Sequence, residues 1–266
     1  MNSSLLHIFL LVILSNIFSC QNSGTDKTIE DGKKNTEISF FTPDSILIIG
    51  DLYEIDKKAH TILLFHQGGS NARAEYGSII PILVEKGFNV LATDQRVGGQ
   101  IYGKYNRTLE KIPTHSFGDG YTYCDAYNNL ESALNFIIAS GFTGKKIIWG
   151  SSYSASLAVQ LGSKRQNDID GILAFSPATG GSLKNCLPSP YFESIQIPLL
   201  VLKPRSEMDS ESSKRQFELA DQYGHETFIA ENGVHGSSML VEERTKTDVS
   251  ETWNVVHSFL QSVVIN

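Results

Sequence analysis

The chain has 266 residues, 41% of them hydrophobic and 19% charged, enough for one large globular domain or two small ones. Its 22 basic and 29 acidic residues leave a net charge of -7, and no basic cluster is long enough to hold nucleic acid, which argues against that partner class. Three cysteines are too few for a disulfide framework, and none lies in a C-x-x-C pair.

In chain order the first segment stands apart. Leu5 to Leu14 is apolar except for His7, and Ile17-Phe18-Ser19-Cys20 closes the run. It is shorter than the ~20 residues a membrane-spanning helix needs and has the length of a signal-peptide core. Its end resembles a bacterial lipoprotein signal, in which cleavage leaves an N-terminal cysteine that is then acylated. That resemblance implies that residues 1–19 are removed and that Cys20 carries a lipid. The product would be an extracytoplasmic lipoprotein held at a membrane of the bacterial cell envelope. No Lys or Arg precedes the apolar run, although such signals usually carry one. A plain secretory signal and a buried N-terminal helix are the alternatives. Residues 21–36 are polar and unpatterned, as a flexible tether would be, so the folded domain is expected over 37–266.

Within that domain, Ile38 to Phe41 and Ser45 to Tyr53 read as two strands joined by a turn at Thr42-Pro43-Asp44. Thr61 to Phe65 is a continuous apolar strand that ends in His66-Gln67-Gly68-Gly69-Ser70. A helix is expected between Ser78 and Lys86, with Ser78 as its N-cap and Pro81 in its first turn. Phe88 to Ala92 is the next strand, followed by Thr93-Asp94-Gln95-Arg96 and a polar, aromatic-containing loop to about Tyr123. A helix then carries Leu130, Ala133, Leu134 and Ile137 on one face. Strands follow at Ile147 to Trp149, Gly171 to Phe175, Pro198 to Leu202 and Glu226 to Ala230, with a helix from Ser210 to Tyr223. In the closing helix Val249, Trp253, Val256, Leu260 and Val263 form one apolar stripe.

Apolar strands alternating with helices imply a mostly parallel sheet covered on both faces. The two opening strands, with no helix between them, suggest an antiparallel edge. Ligands on such sheets bind at the carboxyl ends of the strands, so the residues after each strand are where chemistry is to be sought.

Gly150-Ser151-Ser152-Tyr153-Ser154 lies between an apolar strand and a helix of small or apolar residues. Strand, tight turn with a central serine, and buried helix together make a nucleophile elbow, G-x-S-x-G. Here serine stands where the second glycine belongs. A serine hydroxyl is a poor nucleophile until a base removes its proton and a third group holds that base. Glu207, in Lys203-Pro204-Arg205-Ser206-Glu207, and His235, in Asn232-Gly233-Val234-His235-Gly236, follow later strands in the required order. Taken singly, each of the three has a plainer reading as a turn serine, a solvated glutamate or a packed histidine. Asp209 is the rival acid, but Ser210 behind it is the expected helix N-cap, so its carboxylate is better placed to favour that helix terminus. The first strand-helix loop frees backbone N–H groups. One from Gln67 or Gly68, with that of Tyr153, is expected to form the oxyanion hole.

These motifs resemble those of the α/β-hydrolase superfamily, and among its branches the compact esterase and dienelactone-hydrolase-like members. The resemblance spans about residues 37 to 265 and departs at Gln67 and Ser154. It implies an eight-stranded, mostly parallel sheet with helices on both faces and no large lid. It further implies a serine hydrolase cleaving a small ester, carboxylesterase-like, through Ser152, His235 and Glu207 and an acyl-enzyme intermediate. A peptidase or acyltransferase using the same site, and a surface lipoprotein that binds without catalysis, remain open. His66, Asp94 and Arg96 are read as loop, scaffold or rim residues. The chemistry calls for no cofactor, and the seven histidines show no metal-ligand spacing. Tyr102, Tyr105, Phe117, Tyr121 and Tyr123 either line a shallow cleft or pack on the sheet edge. Cys124 and Cys186 are expected near one end of the sheet, where an oxidising compartment would let them pair.

Overall fold

A computed structural model describes residues 34–112 and 122–265. The apolar leader and Cys20 lie outside the described residues. Eight strands form one open sheet: β1 (Lys34–Phe41), β2 (Leu47–Glu54), β3 (Thr61–Phe65), β4 (Asn89–Asp94), β5 (Lys146–Ser151), β6 (Gly171–Phe175), β7 (Leu199–Pro204) and β8 (Glu226–Ala230). Their spatial order is β1-β2-β4-β3-β5-β6-β7-β8. β2 runs antiparallel to both β1 and β4, and every other neighbouring pair is parallel.

Among the described residues the α-helices are α1 (Ala72–Tyr76), α2 (Ile79–Glu85), α3 (Arg107–Lys111), α4 (Tyr127–Ala139), α5 (Tyr153–Lys164), α6 (Glu211–Gln222), α7 (Glu242–Thr245) and α8 (Ser250–Ile265). Among the described residues, no helix is long and apolar enough to cross a membrane. The uninterrupted apolar runs of β3 and β5 are explained by burial on two faces, because successive side chains of a strand point to opposite sides. Ile62, Leu64, Ile147 and Trp149 join a core with residues of α2 and α8. Leu63, Phe65 and Ile148 join the other core, with residues of α4 and α5. The nearly all-round apolar or small surface of α5 fits its place: Ala155, Leu157, Ala158, Val159 and Leu161 are wholly buried. At roughly 1.5–3 kcal/mol for each fully buried Leu or Val, this helix is a main contributor to the core.

Three local expectations are corrected. The segment read as tether through residue 36 already pairs in the sheet by Lys34, opposite Glu54. Its polar sequence hid the start of the strand, where Asn35 and Glu37 face solvent at the sheet edge. Ser78 stands before α2 but has helical backbone angles (φ -88, ψ -20) and makes no capping bond. The one-turn helices α1 and α3 were not visible as apolar periodicity. Asparagine starts each one: the Asn71 carboxamide accepts the Ala74 N–H at 3.0 Å and the Asn106 carboxamide that of Leu109 at 2.9 Å.

A charged network binds the N-terminal edge to the rest. Arg107 bonds Asp94 at 2.8 Å, Asp51 at 3.0 Å and Glu37 at 2.9 Å. Arg73 bonds Asp51 at 2.7 Å and Glu37 at 3.3 Å. Asp51 and Asp94 are almost fully buried, and the two guanidiniums supply the partners that buried carboxylates require. The Asp51 carboxyl is held below its ordinary value: burial alone would raise it, and the bonds from Arg73 and Arg107 outweigh burial.

Candidate active site

β5 ends at Ser151 and α5 begins at Tyr153, leaving Ser152 alone at the apex with φ 62 and ψ -121. A side chain is rarely held at positive φ unless its surroundings impose it. Here the Ser152 N–H is fixed to the Phe175 carbonyl of β6 at 2.8 Å. Gly150 is required by space, since a Cβ there would lie 2.4 Å from the Ser154 carbonyl oxygen. Ser154, in place of the second glycine, makes a clasp. Its Oγ lies 2.6 Å from the Phe65 carbonyl oxygen, 2.9 Å from that of Ser151 and 3.0 Å from that of His66, and it accepts the Ser151 N–H at 3.0 Å. The end of β3 is thereby joined to the turn.

Glu207 sits in a 3-10 turn, Arg205–Asp209, directly after β7. Its Oε1 is 2.6 Å from His235 Nδ1, and its Oε2 is 3.6 Å from Lys203 Nζ. Lys203 belongs to β7 and is only 1% exposed. Its ammonium also donates to the Pro177 carbonyl at 3.1 Å and to Ser213 Oγ at 3.4 Å. Burial pushes the Glu207 carboxyl up, but the bond from His235, the charge of Lys203 and the Ser176 hydroxyl bring it below the usual carboxylate range. Burial lowers the Lys203 ammonium, with Glu207 opposing the shift. Asp209 forms no bond to His235; it closes the same turn at an exposed position.

His235 follows β8, with its side chain about half exposed. Two backbone contacts seat its loop. The Gly236 N–H donates to Ser176 Oγ at 3.0 Å, and the Ser237 N–H donates to Ser151 Oγ at 2.9 Å. Gly236 has φ +68, and a Cβ there would lie 2.3 Å from Ser151 Oγ, so glycine alone fits. The structure thus bonds Glu207 to His235 and joins the His235 loop to the residue preceding Ser152. Among the described residues, the Ser152 hydroxyl and His235 Nε2 make no hydrogen bond, either to each other or elsewhere.

On the oxyanion side the expected donors separate. The Gln67 N–H is already given to Glu75 Oε2 at 2.8 Å, which removes Gln67 as a donor to substrate. The Gly68 N–H takes no partner among the described residues. The N–H of Tyr153 opens α5, where the first turn of a helix has no carbonyl partner of its own. Tyr123 braces both positions: its ring lies 4.8 Å from that of Tyr153, and a Cβ on Gly68 would meet its hydroxyl at 3.0 Å. Tyr102 crosses the loop ends, its hydroxyl accepting from Gln67 Nε2 at 3.3 Å and Ser238 Oγ at 3.1 Å. The Arg244 guanidinium lies 3.9 Å from the Tyr102 ring centre. Tyr105 is exposed, and Phe117 and Tyr121 lie outside the described residues. Cys124 and Cys186 form a disulfide with a Cα–Cα distance of 5.6 Å.

The three residues set aside as scaffold have structural partners. His66 is wholly buried. Its Nε2 accepts the Gln95 N–H at 2.8 Å, which leaves Nδ1–H to donate to the Gln67 carbonyl at 2.8 Å. Burial holds this ring below its ordinary pKa, so it stays neutral. Asp94 accepts from the Ala72 N–H and from Arg107. Arg96 bonds Asn129 and Asp44. Ser176, Lys203, Ser151 and Glu75 were not read from the sequence as site residues. Ser176 follows β6 directly, and a lysine inside Leu199-Leu200-Val201-Leu202-Lys203 is an anomaly in a buried strand; both were visible signals. Among the described residues, no group of three or more His, Cys, Asp or Glu side chains could hold a metal ion.

No protein-family model matches the chain, and no curated protein matches it in sequence. Solved structures do resemble it. An esterase from Pyrococcus furiosus superposes with a TM-score of 0.64 at 18% identity, over 87% of this chain and 92% of that one. A dienelactone hydrolase from Anabaena variabilis gives 0.60 at 12% identity, over 80% and 93%. A thioesterase domain from the curacin biosynthetic pathway gives 0.57 at 11% identity, over 84% and 100%. At these identities the likeness speaks to architecture, and with the sheet order and strand directions above it establishes that this chain has the α/β-hydrolase fold.

Proposed function

We propose that the protein is a serine hydrolase that cleaves a small ester through a Ser152–His235–Glu207 triad. The observation that carries this reading is the docking of the bonded His235–Glu207 pair onto an elbow that holds Ser152 at positive φ. In the reaction Ser152 Oγ attacks the ester carbonyl as His235 Nε2 takes its proton. Glu207 holds Nδ1–H and stabilises the imidazolium. The N–H groups of Gly68 and Tyr153 receive the oxyanion, at about 3 kcal/mol per donor. His235 then protonates the leaving alcohol, and water attacks the acyl-serine by the same path to release the acid.

Two experiments test the reading. A fluorophosphonate should label the wild-type protein but not Ser152→Ala, and a panel of short-chain esters should be hydrolysed only by the former. Undiminished labelling of Ser152→Ala would reassign the nucleophile.

We further propose that the domain works outside the cytoplasm, anchored by a lipid on Cys20. The leader sequence motivates this, and the Cys124–Cys186 disulfide suits an oxidising compartment. In the native host, Cys20→Ser should move the protein from the membrane fraction to the soluble one; unchanged retention would require another anchor.

A further inference from the structure

Behind the oxyanion loop lies a carboxylate that the acyl-transfer steps do not use. Glu75, in α1, is 0% exposed. Its Oε2 accepts the Gln67 N–H at 2.8 Å. Its Oε1 makes no hydrogen bond of good geometry, although the Ser151 hydroxyl is close enough to favour the charged form. Glu75 therefore touches the residue before Gly68 and approaches the residue before Ser152.

A buried carboxylate with an unfilled oxygen is costly, and such groups persist where they organise something. Here that something is the backbone of the loop ending β3. Gln67 is held by a charge-assisted bond, which is shorter and stronger than a neutral one. With Gln67 fixed, the next N–H in the chain, that of Gly68, is the one left free for a ligand. We propose that Glu75 is a positioning residue: its carboxylate, through the Gln67 N–H, orients the Gly68 N–H toward the oxyanion, and ionised Glu75 does so better than protonated Glu75. The proposal rests on the serine-hydrolase reading above.

Burial pushes the Glu75 carboxyl up to about 7, against the opposing bonds from Ser151 and Gln67 and the charges of Arg244 and His235. The groups around it come from several elements. Arg244 of α7 donates to the Glu75 carbonyl at 3.0 Å and to the Ala74 carbonyl at 2.6 Å. Tyr76 of α1 and Tyr153 of α5 are raised well above their ordinary value by burial and remain neutral. His66, beside Gln67, is kept neutral by burial. His235, from the loop after β8, is the other group whose protonation bears on turnover. Two protons then oppose activity on the acid side: one that disables the base, and one that loosens the loop.

The test is the pH profile of kcat/KM for an ester the wild type hydrolyses, measured with Glu75→Gln and Glu75→Ala. The amide of Glu75→Gln still offers an oxygen to the Gln67 N–H but cannot titrate. The wild-type acid limb should run steeper than a slope of about one over the range in which Glu75 takes up its proton, and that of Glu75→Gln should hold a slope of about one throughout. At the plateau, Glu75→Ala should lower kcat by about 10-fold or more with KM within about two-fold, the pattern of a loss felt in the transition state. Glu75→Gln, which keeps the accepting oxygen but lacks the charge, should recover only part of that loss. Thermal unfolding of each variant identifies one that has merely failed to fold, and the isosteric Glu75→Gln decides the matter if Glu75→Ala does so. Superimposable acid limbs for wild type and Glu75→Gln would overturn the proposal while leaving Ser152 labelling intact. A wild type that neither labels nor hydrolyses esters would remove the hydrolase reading, and this proposal with it.

Discussion

The backbone N–H of Ser237 donates to the hydroxyl of Ser151 at 2.9 Å, bridging 86 positions of sequence. Neither residue is in the proposed triad, yet each is close to a member of it: Ser151 precedes Ser152, and Ser237 lies two residues after His235. The bond ties the strand end that precedes Ser152 to the loop that carries His235. Both residues are fully buried, so bulk water does not compete for the bond. Ser151→Ala should leave the Ser237 N–H unsatisfied and cost ~1–3 kcal/mol of stability. It should also lower kcat/KM while leaving Ser152 reactive toward a fluorophosphonate. Denaturant unfolding and steady-state rates check this; an Ala variant with wild-type rates would show that the base loop needs no such tie.

The acid assignment separates two nearby carboxylates. Glu207→Gln should keep the fold and lower turnover by on the order of 10⁴, as the equivalent amide change does in another serine-histidine-aspartate triad. Asp209→Asn should leave turnover near wild type, because that carboxylate makes no bond to His235. Rates in the reverse order would move the role of acid to Asp209.

Lys203 bears on the pH at which Glu207 lets go. The Glu207 carboxyl is held below its ordinary value, so its contribution to stability is present above the unfolded value of about 4.3 and is lost as pH falls through the folded one. Lys203→Met fills similar volume without charge and lets the folded value rise. Acid unfolding of the variant, followed by urea midpoints from roughly pH 3 to 7, should therefore begin at higher pH than in wild type. Coincident acid limbs would mean that His235 and Ser176 hold the carboxylate without help.

The disulfide closes a loop of 62 residues between Cys124 and Cys186. On the chain-entropy account, removing it should cost about 4 kcal/mol. Cys124→Ser with Cys186→Ser, or reduction of the wild type, should lower the melting temperature. Because Cys124 adjoins Tyr123, which braces Tyr153 and Gly68, the rate on esters should fall as well at temperatures where the fold persists. A reduced protein with unchanged melting and unchanged rate would count against both effects.

The sheet was legible in the sequence because buried parallel strands must be apolar throughout, so Thr61 to Phe65 and Gly171 to Phe175 carry their own signal. Glu207 and His235 were legible as site candidates for a related reason: chemistry-bearing residues at strand ends stand out against what precedes them. Other features left no pattern of this kind. The start of β1 is polar because it lies on an exposed edge. Helices α1 and α3 span five residues each, too few for a periodicity. Glu75 gave no sign of its burial, since only the fold brings the Gln67 N–H to its carboxylate. At Ser154 the G-x-S-x-G pattern specifies glycine, while the structure uses a hydroxyl between two backbone segments instead.

The two margins of the sheet are secured very unequally, and this has a consequence for local opening. At one margin, Arg73 and Arg107 link β1, β2 and β4 through Glu37, Asp51 and Asp94. At the other, β8 pairs with β7 alone and only its last residue is buried. Amide hydrogens of β8 should therefore exchange with solvent sooner than those of β2, through excursions that leave the rest of the sheet closed. The loop that carries His235 hangs from that more loosely held strand. The proposed base is thus mounted beside the more loosely held margin of the sheet, and the proposed nucleophile at the end of the central strand β5.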